Sequence, residues 1–406
     1  MSGPIVLFDK SFLQSLSIDE SVWFDHFFIA NVCPIFYIET LSDLTKRLKT
    51  TRTPEDEVRI IADKFPEHGS PSLHHDYLCK LNLLGNIVPM TGQIAVGEDR
   101  RVELSGKTGA IIQLTKEAEA FDRWRRKEFI EIERLFAIKW RRSLSNPSID
   151  VAKAQLNIFG IDPMNCKSYE DANTISGNFV SLKLKSRDKF IQACQLLKIP
   201  VENLSKIMLN WELKEFPAFI NFAPYFAHVL KVEIFYLLAL ASNLISADRS
   251  SNKTDIAYLH YLPFCKIFIS TDHFHRDCAH LFLRPDQEFV WGDNLKSDLN
   301  KLNNYYTKYP DEIKQQGLYY FAPHPPKDGE FIVSKLWDNH LPGWRKLVNR
   351  IPQQGKIDNE IIEILDAPEN LPENKNVKME DISFISVKHL VQKKKGSWYQ
   401  VPKEIK

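Results

Sequence analysis

The chain has 406 residues, of which 44% are hydrophobic, 26% charged and 12% aromatic, a composition that excludes a disordered, fibrous or membrane-embedded protein and leaves room for more than one ordinary domain. Lys and Arg (53) balance Asp and Glu (52), so no bulk positive field draws in nucleic acid, and an anionic partner has to be met by a local patch. Six cysteines without CxxC pairs or regular spacing argue against a disulfide framework or a cysteine zinc knuckle and read as reduced, buried thiols.

The first residues, MSGPIVLFDK, bring Asp9 early and no basic region ahead of a long apolar run, so they do not read as a signal peptide. Pro4 to Phe8 is an apolar run ending in Asp9, the pattern of a buried strand in a parallel sheet. Ser17 and Glu20 form a capping box, with Val22, Trp23, Phe27 and Phe28 at helical spacing behind it. The run Cys33 to Ile38, ending in Glu39, predicts a second strand, and Thr40 to Leu48 a second helix. Two strand–acid–helix units predict an α/β wound sheet.

Arg52 to Glu57 reads as a helix start, Pro66 to Pro71 as a loop and Gly92 to Gly109 as a hairpin. Thr115 to Arg142 predicts one long charged helix with Phe121, Trp124, Ile132, Leu135 and Ile138 on its inner face. Asp150 to Ser246 predicts further helices, interrupted at Asp162-Pro163, Ile199-Pro200 and Phe216-Pro217. Its most apolar stretch, Ile234 to Ala247, is short for a hydrocarbon layer of roughly 30 Å, and a cytoplasmic location without membrane partners is expected. Asp255 to Leu262 has helical spacing, and Lys266 to Ser270 reads as a strand followed by Thr271-Asp272. Beyond Asn304 a proline-rich, partly irregular extension ends in Lys393 to Lys395, Trp398 and Tyr399, where a solvated tail is slightly favoured over a nucleic-acid contact.

Ligands of open α/β sheets bind beyond the carboxyl ends of the strands, and three predicted strands deliver Asp9, Glu39 and Asp272 there; Asp255 joins them if its helix starts at the same edge. Carboxylates crowded on one rim repel each other unless a cation neutralises them or some are protonated. Hard oxygen ligands suit Mg²⁺ or Mn²⁺, and one or two such ions, roughly 3.5 to 4 Å apart, can hold a phosphodiester and activate water.

The segments IVLFDKSFL, IFYIETLSDL and DIAYLHYLPFCKIFISTDHF resemble those of PIN-domain ribonucleases. The resemblance covers residues 1–48 and 222–284, and its most specific part is the spacing from Asp255 through Tyr261-Leu-Pro263 to Ser270-Thr-Asp272. It implies a PIN-like three-layer α/β domain with a central parallel sheet and a metal-dependent endoribonuclease. The catalytic and metal-holding acids it implies are Asp9, Glu39, Asp255 and Asp272, with Mg²⁺ or Mn²⁺ as cofactor and RNA as substrate. The chain departs from small family members in the region between Glu39 and Asp255. The expected organisation is a first part of the PIN-like domain at 1–50, a mostly helical insertion at 51–220, a second part at 221–305 and a C-terminal extension at 306–406. The insertion suits a substrate clamp, a lid or a homo-oligomer surface. Relatives that are toxins neutralised by a partner make an inhibitory or regulatory protein partner a further expectation.

Around these acids, Asp43 sits four residues after Glu39 and is either a supporting ligand or, more simply, a solvated acid. Thr271 suits orienting a bound water or phosphate, or capping the next helix; Asn252 suits a cap or a substrate contact. His273, His275 and His280 lack the i, i+4 pair of zinc hydrolases. Ser105-Gly-Lys-Thr108 lacks the first glycine of a phosphate-binding loop and reads as a polar turn. Arg123, Arg125, Arg126, Lys127, Arg141 and Arg142, with Trp124 and Trp140 among them, can meet a phosphate backbone and stack bases; interspersed glutamates support a solvated helix equally. Two competing functions stand beside the ribonuclease: an enzyme on single-stranded or flap DNA related to 5′-nucleases, and a non-catalytic RNA-binding or assembly protein.

Overall fold

The computed structural model describes residues 3–46, 51–67, 69–96, 100–104, 106–112, 116–143, 146–249, 251–347, 384–387 and 392–403. Five strands form one parallel sheet in the order Gly69–Pro71, Ile29–Val32, Ile5–Phe8, Ile267–Ser270, Glu288–Trp291. The chain leaves the central strand Ile5–Phe8 toward one side of the sheet and returns on the other, so the strand order reverses between Ile5–Phe8 and Ile267–Ser270. Strands buried on both faces explain their near-continuous apolar runs, and Val6, Leu7, Ile267, Phe268 and Ile269 are fully buried. The chain is therefore α/β with a parallel sheet, as its patterning predicts.

The two central strands lie where the sequence places them; the second does not. Cys33 to Ile38 is not a strand. Pro34 opens the helix Pro34–Ser42 at its first turn, a position where a missing N–H costs nothing. Glu39 is therefore inside a helix, and of the helix predicted over Thr40 to Leu48 the described part is the end of this one plus a short 3₁₀ turn, Asp43–Thr45, with residues 47 and 48 outside the described residues. The strand is Ile29–Val32, whose polar Asn31 disguises it. Asn31 is buried because its amide donates to the Phe264 carbonyl at 3.0 Å and its Oδ1 accepts from the Ser72 hydroxyl at 2.7 Å.

Other elements shift for local reasons. The Ser17–Glu20 capping box forms, and a second, Thr53 with Asp56, starts the helix Pro54–Lys64. The loop expected from Pro66 contains the outer strand Gly69–Pro71, and the hairpin pairs Arg100–Leu104 with Lys107–Ile112. The single helix over Thr115 to Arg142 is two, Lys116–Arg125 and Glu131–Ser143. Lys127 takes φ of 61° between them, with Lys127 N–H donating to Trp124 O and Glu128 N–H to Arg123 O, the bonds of a Schellman stop. The break resets the helical phase. Phe121 and Trp124 stay buried, but Ile132, Leu135 and Ile138 are 51%, 61% and 44% exposed, and Glu133 turns inward to accept from the Trp124 indole at 3.1 Å.

The middle of the chain is helical, organised around Pro224–Ala241, which packs on Ile149–Phe159, Tyr169–Ser181 and His75–Leu83. This helix is long and apolar enough to cross a membrane by length and composition, and 83% of it is buried inside the protein. All six cysteines are free and buried. Sheet and helices continue beyond the predicted elements: Glu288–Trp291 adds a fifth strand and Gly292–Thr307 a covering helix.

The segment from Lys393 to Tyr399 is not a solvated tail. Lys394–Lys395 and Trp398–Tyr399 form a small antiparallel hairpin. Lys395 is buried and donates to the Phe65 carbonyl at 2.8 Å. The indoles of Trp23 and Trp398 meet edge to face at 4.8 Å, and both donate to Asn303 Oδ1. Replacing Trp398 with Ala removes this anchor and leaves a cavity. A loss of about 3–5 kcal/mol in the free energy of unfolding is expected by urea titration; a loss below about 1 kcal/mol would mean that the hairpin is peripheral.

Candidate active site

Parallel pairing puts Phe8 beside Ile269, so the chain emerges from both strands at the same edge. Asp9 and Ser270-Thr271-Asp272 follow at once, at the place where the strand order reverses, the position that ligands occupy in open α/β sheets. Both acids are N-caps. Asp9 Oδ1 accepts from Phe12 N–H at 2.7 Å and Asp272 Oδ1 from Phe274 N–H at 2.7 Å. Asp272, and not Thr271, caps the helix His273–Cys278. Thr271 instead lies against Gly292, where a Cβ would meet its Cγ2 at 2.6 Å.

One hydroxyl ties these acids together. Ser270 Oγ lies 2.5 Å from Asp9 Oδ2 and 2.7 Å from His275 Nδ1, and it accepts from Asp272 N–H at 2.9 Å. His275 is fully buried, and its Nε2 reaches the Asp255 carbonyl at 2.7 Å. A carbonyl only accepts, so Nε2 carries a proton. When Ser270 gives its single hydroxyl proton to Asp9, Nδ1 must donate as well and the ring is an imidazolium. Burial alone would lower the His275 pKa; the Asp9 carboxylate, 3.8 Å from Nδ1, and the Asp255 charge outweigh it and hold the ring above its ordinary value.

The remaining acids enter from helices. Asp255 lies in the first turn of Asn252–Tyr258, and Glu39 in Pro34–Ser42. Tyr258 joins them to the sheet edge: its hydroxyl donates to Glu39 Oε2 at 2.8 Å and accepts from Lys10 N–H at 3.3 Å. Asp255 is nine-tenths buried. Its Oδ2 has no hydrogen-bond partner among the described residues, the nearest cation being Arg249 at 3.5 Å. Burial, reinforced by the Asp272 and Glu39 charges and opposed by His275 and Arg249, pushes its carboxyl up to about 7.

Internal cations balance the rim. Lys10 Nζ lies 3.4 Å from Glu39 Oε1 and 2.8 Å from Asp43 Oδ2, and the two carboxylates outweigh burial to hold its ammonium above the usual range. Asp43 is 3% exposed and also meets Lys46 at 2.6 Å; it is a buried partner of Lys10 and not a solvated acid. Arg249 bonds Asp272 Oδ2 directly and leans toward Asp255. Among the described residues no three His, Cys, Asp or Glu groups stand together as a finished cation cage; the carboxylates face Lys10 and Arg249 instead. The donors themselves, all oxygen, with the buried Asp255 Oδ2 lacking a hydrogen bond among the described residues, are of the kind that suits a hard divalent cation.

The other expected residues lie outside this network. Asn252 is buried and donates to the Ser246 carbonyl at 2.6 Å, a structural tie. Arg123 pairs with Glu133, Arg125 with Glu67 and Asp122, Arg126 with Asp122 and Glu128, and Lys127 with Asp56, so these cations are engaged by the chain's own acids. Arg142 also has an interaction within the chain, and the Arg141 side chain is outside the described residues. Gly106 takes φ of 75° in the hairpin turn predicted there, while Ser105 is outside the described residues. Lys10, Arg249, Ser270, His275 and Tyr258 are the partners that sequence reasoning does not single out for these roles. The Ser-x-Asp pattern at Ser270 is the one signal that points to any of them.

The Asp255 shift has a definite sign. Its carboxyl ionises near 3.8 when exposed and at about 7 in the folded chain, so between these values the folded state binds the extra proton and stability falls as pH rises. Asp255→Asn is expected to flatten that decline in metal-free protein, raising stability near neutral pH in denaturant titrations from pH 4 to pH 8. Identical pH profiles for the two proteins would contradict the assigned environment.

The chain matches no protein-family model, no curated protein and no solved structure.

Proposed function

We propose that the chain is a divalent-metal-dependent nuclease that hydrolyses RNA phosphodiester bonds, with Asp9, Glu39, Asp255 and Asp272 as the acids that hold Mg²⁺ or Mn²⁺. The observation that supports this reading is the placement of Asp9 and Asp272 at the carboxyl ends of the two central strands, where the strand order reverses, beside an Asp255 that keeps a buried carboxylate oxygen without a hydrogen-bond partner among the described residues. A bound cation of this class supplies activated water and stabilises a leaving oxygen. The chain's own residues supply position and charge. Backbone N–H groups fix one oxygen each of Asp9 and Asp272, Tyr258 and Lys10 orient Glu39, and Ser270 with His275 locks Asp9 against the Asp255 helix. The choice of RNA over DNA, and the PIN-like identity of the sheet, rest on the resemblance of the segments around these acids.

One observation favours a second reading, a nucleic-acid-binding or assembly protein without catalysis: Lys10 and Arg249 already neutralise the rim. Cleavage decides between them. Labelled single-stranded RNA, structured RNA, single-stranded DNA and flap DNA are incubated with wild type, Asp9→Asn and Asp272→Asn in Mg²⁺, Mn²⁺ or EDTA. The nuclease reading expects metal-dependent RNA cleavage that falls at least about 100-fold in both variants. Cleavage confined to DNA would move the substrate to the 5′-nuclease class. Unchanged cleavage in both variants, or none under any condition, would overturn the assignment.

A further inference from the structure

Between Pro224–Ala241 and Asn252–Tyr258, residues 246–249 are tied down along their backbone. Asn146 Nδ2 donates to the carbonyls of Ala247 at 2.9 Å and Arg249 at 2.7 Å, and the Tyr236 hydroxyl holds Asn146 Oδ1 at 2.9 Å. Asn252 grips the Ser246 carbonyl from the other side. What this clamped loop presents is one long side chain. Arg249 is 49% exposed, its Nε donates to Ser251 Oγ at 3.0 Å, and a single terminal nitrogen serves both Asp272 Oδ2 and, more distantly, Asp255 Oδ2. That grip is not the two-pronged pairing in which a guanidinium binds a carboxylate best.

From this geometry we infer that Arg249 is the resident counter-ion of the acid rim, occupying the ground between Asp255 and Asp272 in the free protein and withdrawing when a divalent cation enters. The inference rests on the metal-site reading above. Two cations cannot share the same two carboxylate oxygens without strong repulsion in a partly buried site, so guanidinium and metal compete. The backbone clamp makes the exchange local, because the loop stays fixed while the half-exposed side chain swings. Lys10 is differently placed. It is buried beneath Glu39 and Asp43, a permanent partner and not a movable one. Once displaced, Arg249 remains anchored beside the rim, where its planar fork suits a substrate phosphate.

The test is calorimetric titration of the intact chain with Mn²⁺ alone, comparing wild type with Arg249→Ala, Arg249→Gln and Arg249→Lys. Competition predicts that the two neutral variants bind Mn²⁺ about tenfold more tightly or better, and that Arg249→Lys, which keeps the charge, stays near wild type. Adding Asp272→Asn to Arg249→Ala should abolish the gain. Wild-type affinity or weaker in both neutral variants would overturn the inference while leaving the metal site standing. Absence of Mn²⁺ binding in wild type and all single variants would overturn the metal reading itself, and the inference with it.

Discussion

The hydroxyl of Ser270 is the point on which the site depends. It accepts from the Asp272 amide, contacts Asp9 and meets the buried His275 ring, which in turn reaches the Asp255 carbonyl. The Asp9 carboxylate, the backbone of Asp272 and the backbone of the Asp255 helix are therefore linked through one atom. That junction exists only because Ile5–Phe8 and Ile267–Ser270 pair in parallel with Phe8 beside Ile269. A slip by one residue would turn Asp9 to the other face of the sheet.

Charge balance is the second constraint. A rim of acids this deep is costly without compensation, and the chain compensates in two ways. Lys10, adjacent in sequence to Asp9, is buried between Glu39 and Asp43 and serves as fixed structure. Arg249 sits at the mouth, half in solvent, on a loop held by Asn146 and Asn252. One oxygen of Asp255 is left without a hydrogen bond among the described residues, and its carboxyl is pushed toward neutrality by burial.

The sequence makes part of this legible. Apolar runs ending in an acid locate the two central strands and place Asp9 and Asp272 at their carboxyl ends, because a strand buried on both faces has few alternatives. The second strand is hidden by Asn31, whose amide is satisfied by Phe264 and Ser72, partners far away in the chain. Its neighbour Cys33 to Ile38 imitates a strand by composition although Pro34 starts a helix there. Glu39 thus reaches the site from mid-helix, held by Tyr258 from a distant segment. The counter-ions are illegible for the same reason: nothing local in Lys10 or Arg249 says which acid it will meet. The long charged helix fails for a different reason, a stop made by Lys127 in a left-handed conformation, which composition does not announce.

The proposed chemistry requires Asp9, Glu39, Asp255 and Asp272 to form one cation-binding rim. Its most direct test is anomalous scattering from crystals grown or soaked with Mn²⁺. A manganese peak is expected at the carboxyl ends of Ile5–Phe8 and Ile267–Ser270, bound by oxygens of this set, with the Arg249 guanidinium displaced from Asp272. Full manganese occupancy elsewhere on the protein, with this rim still bridged by Arg249, would contradict it.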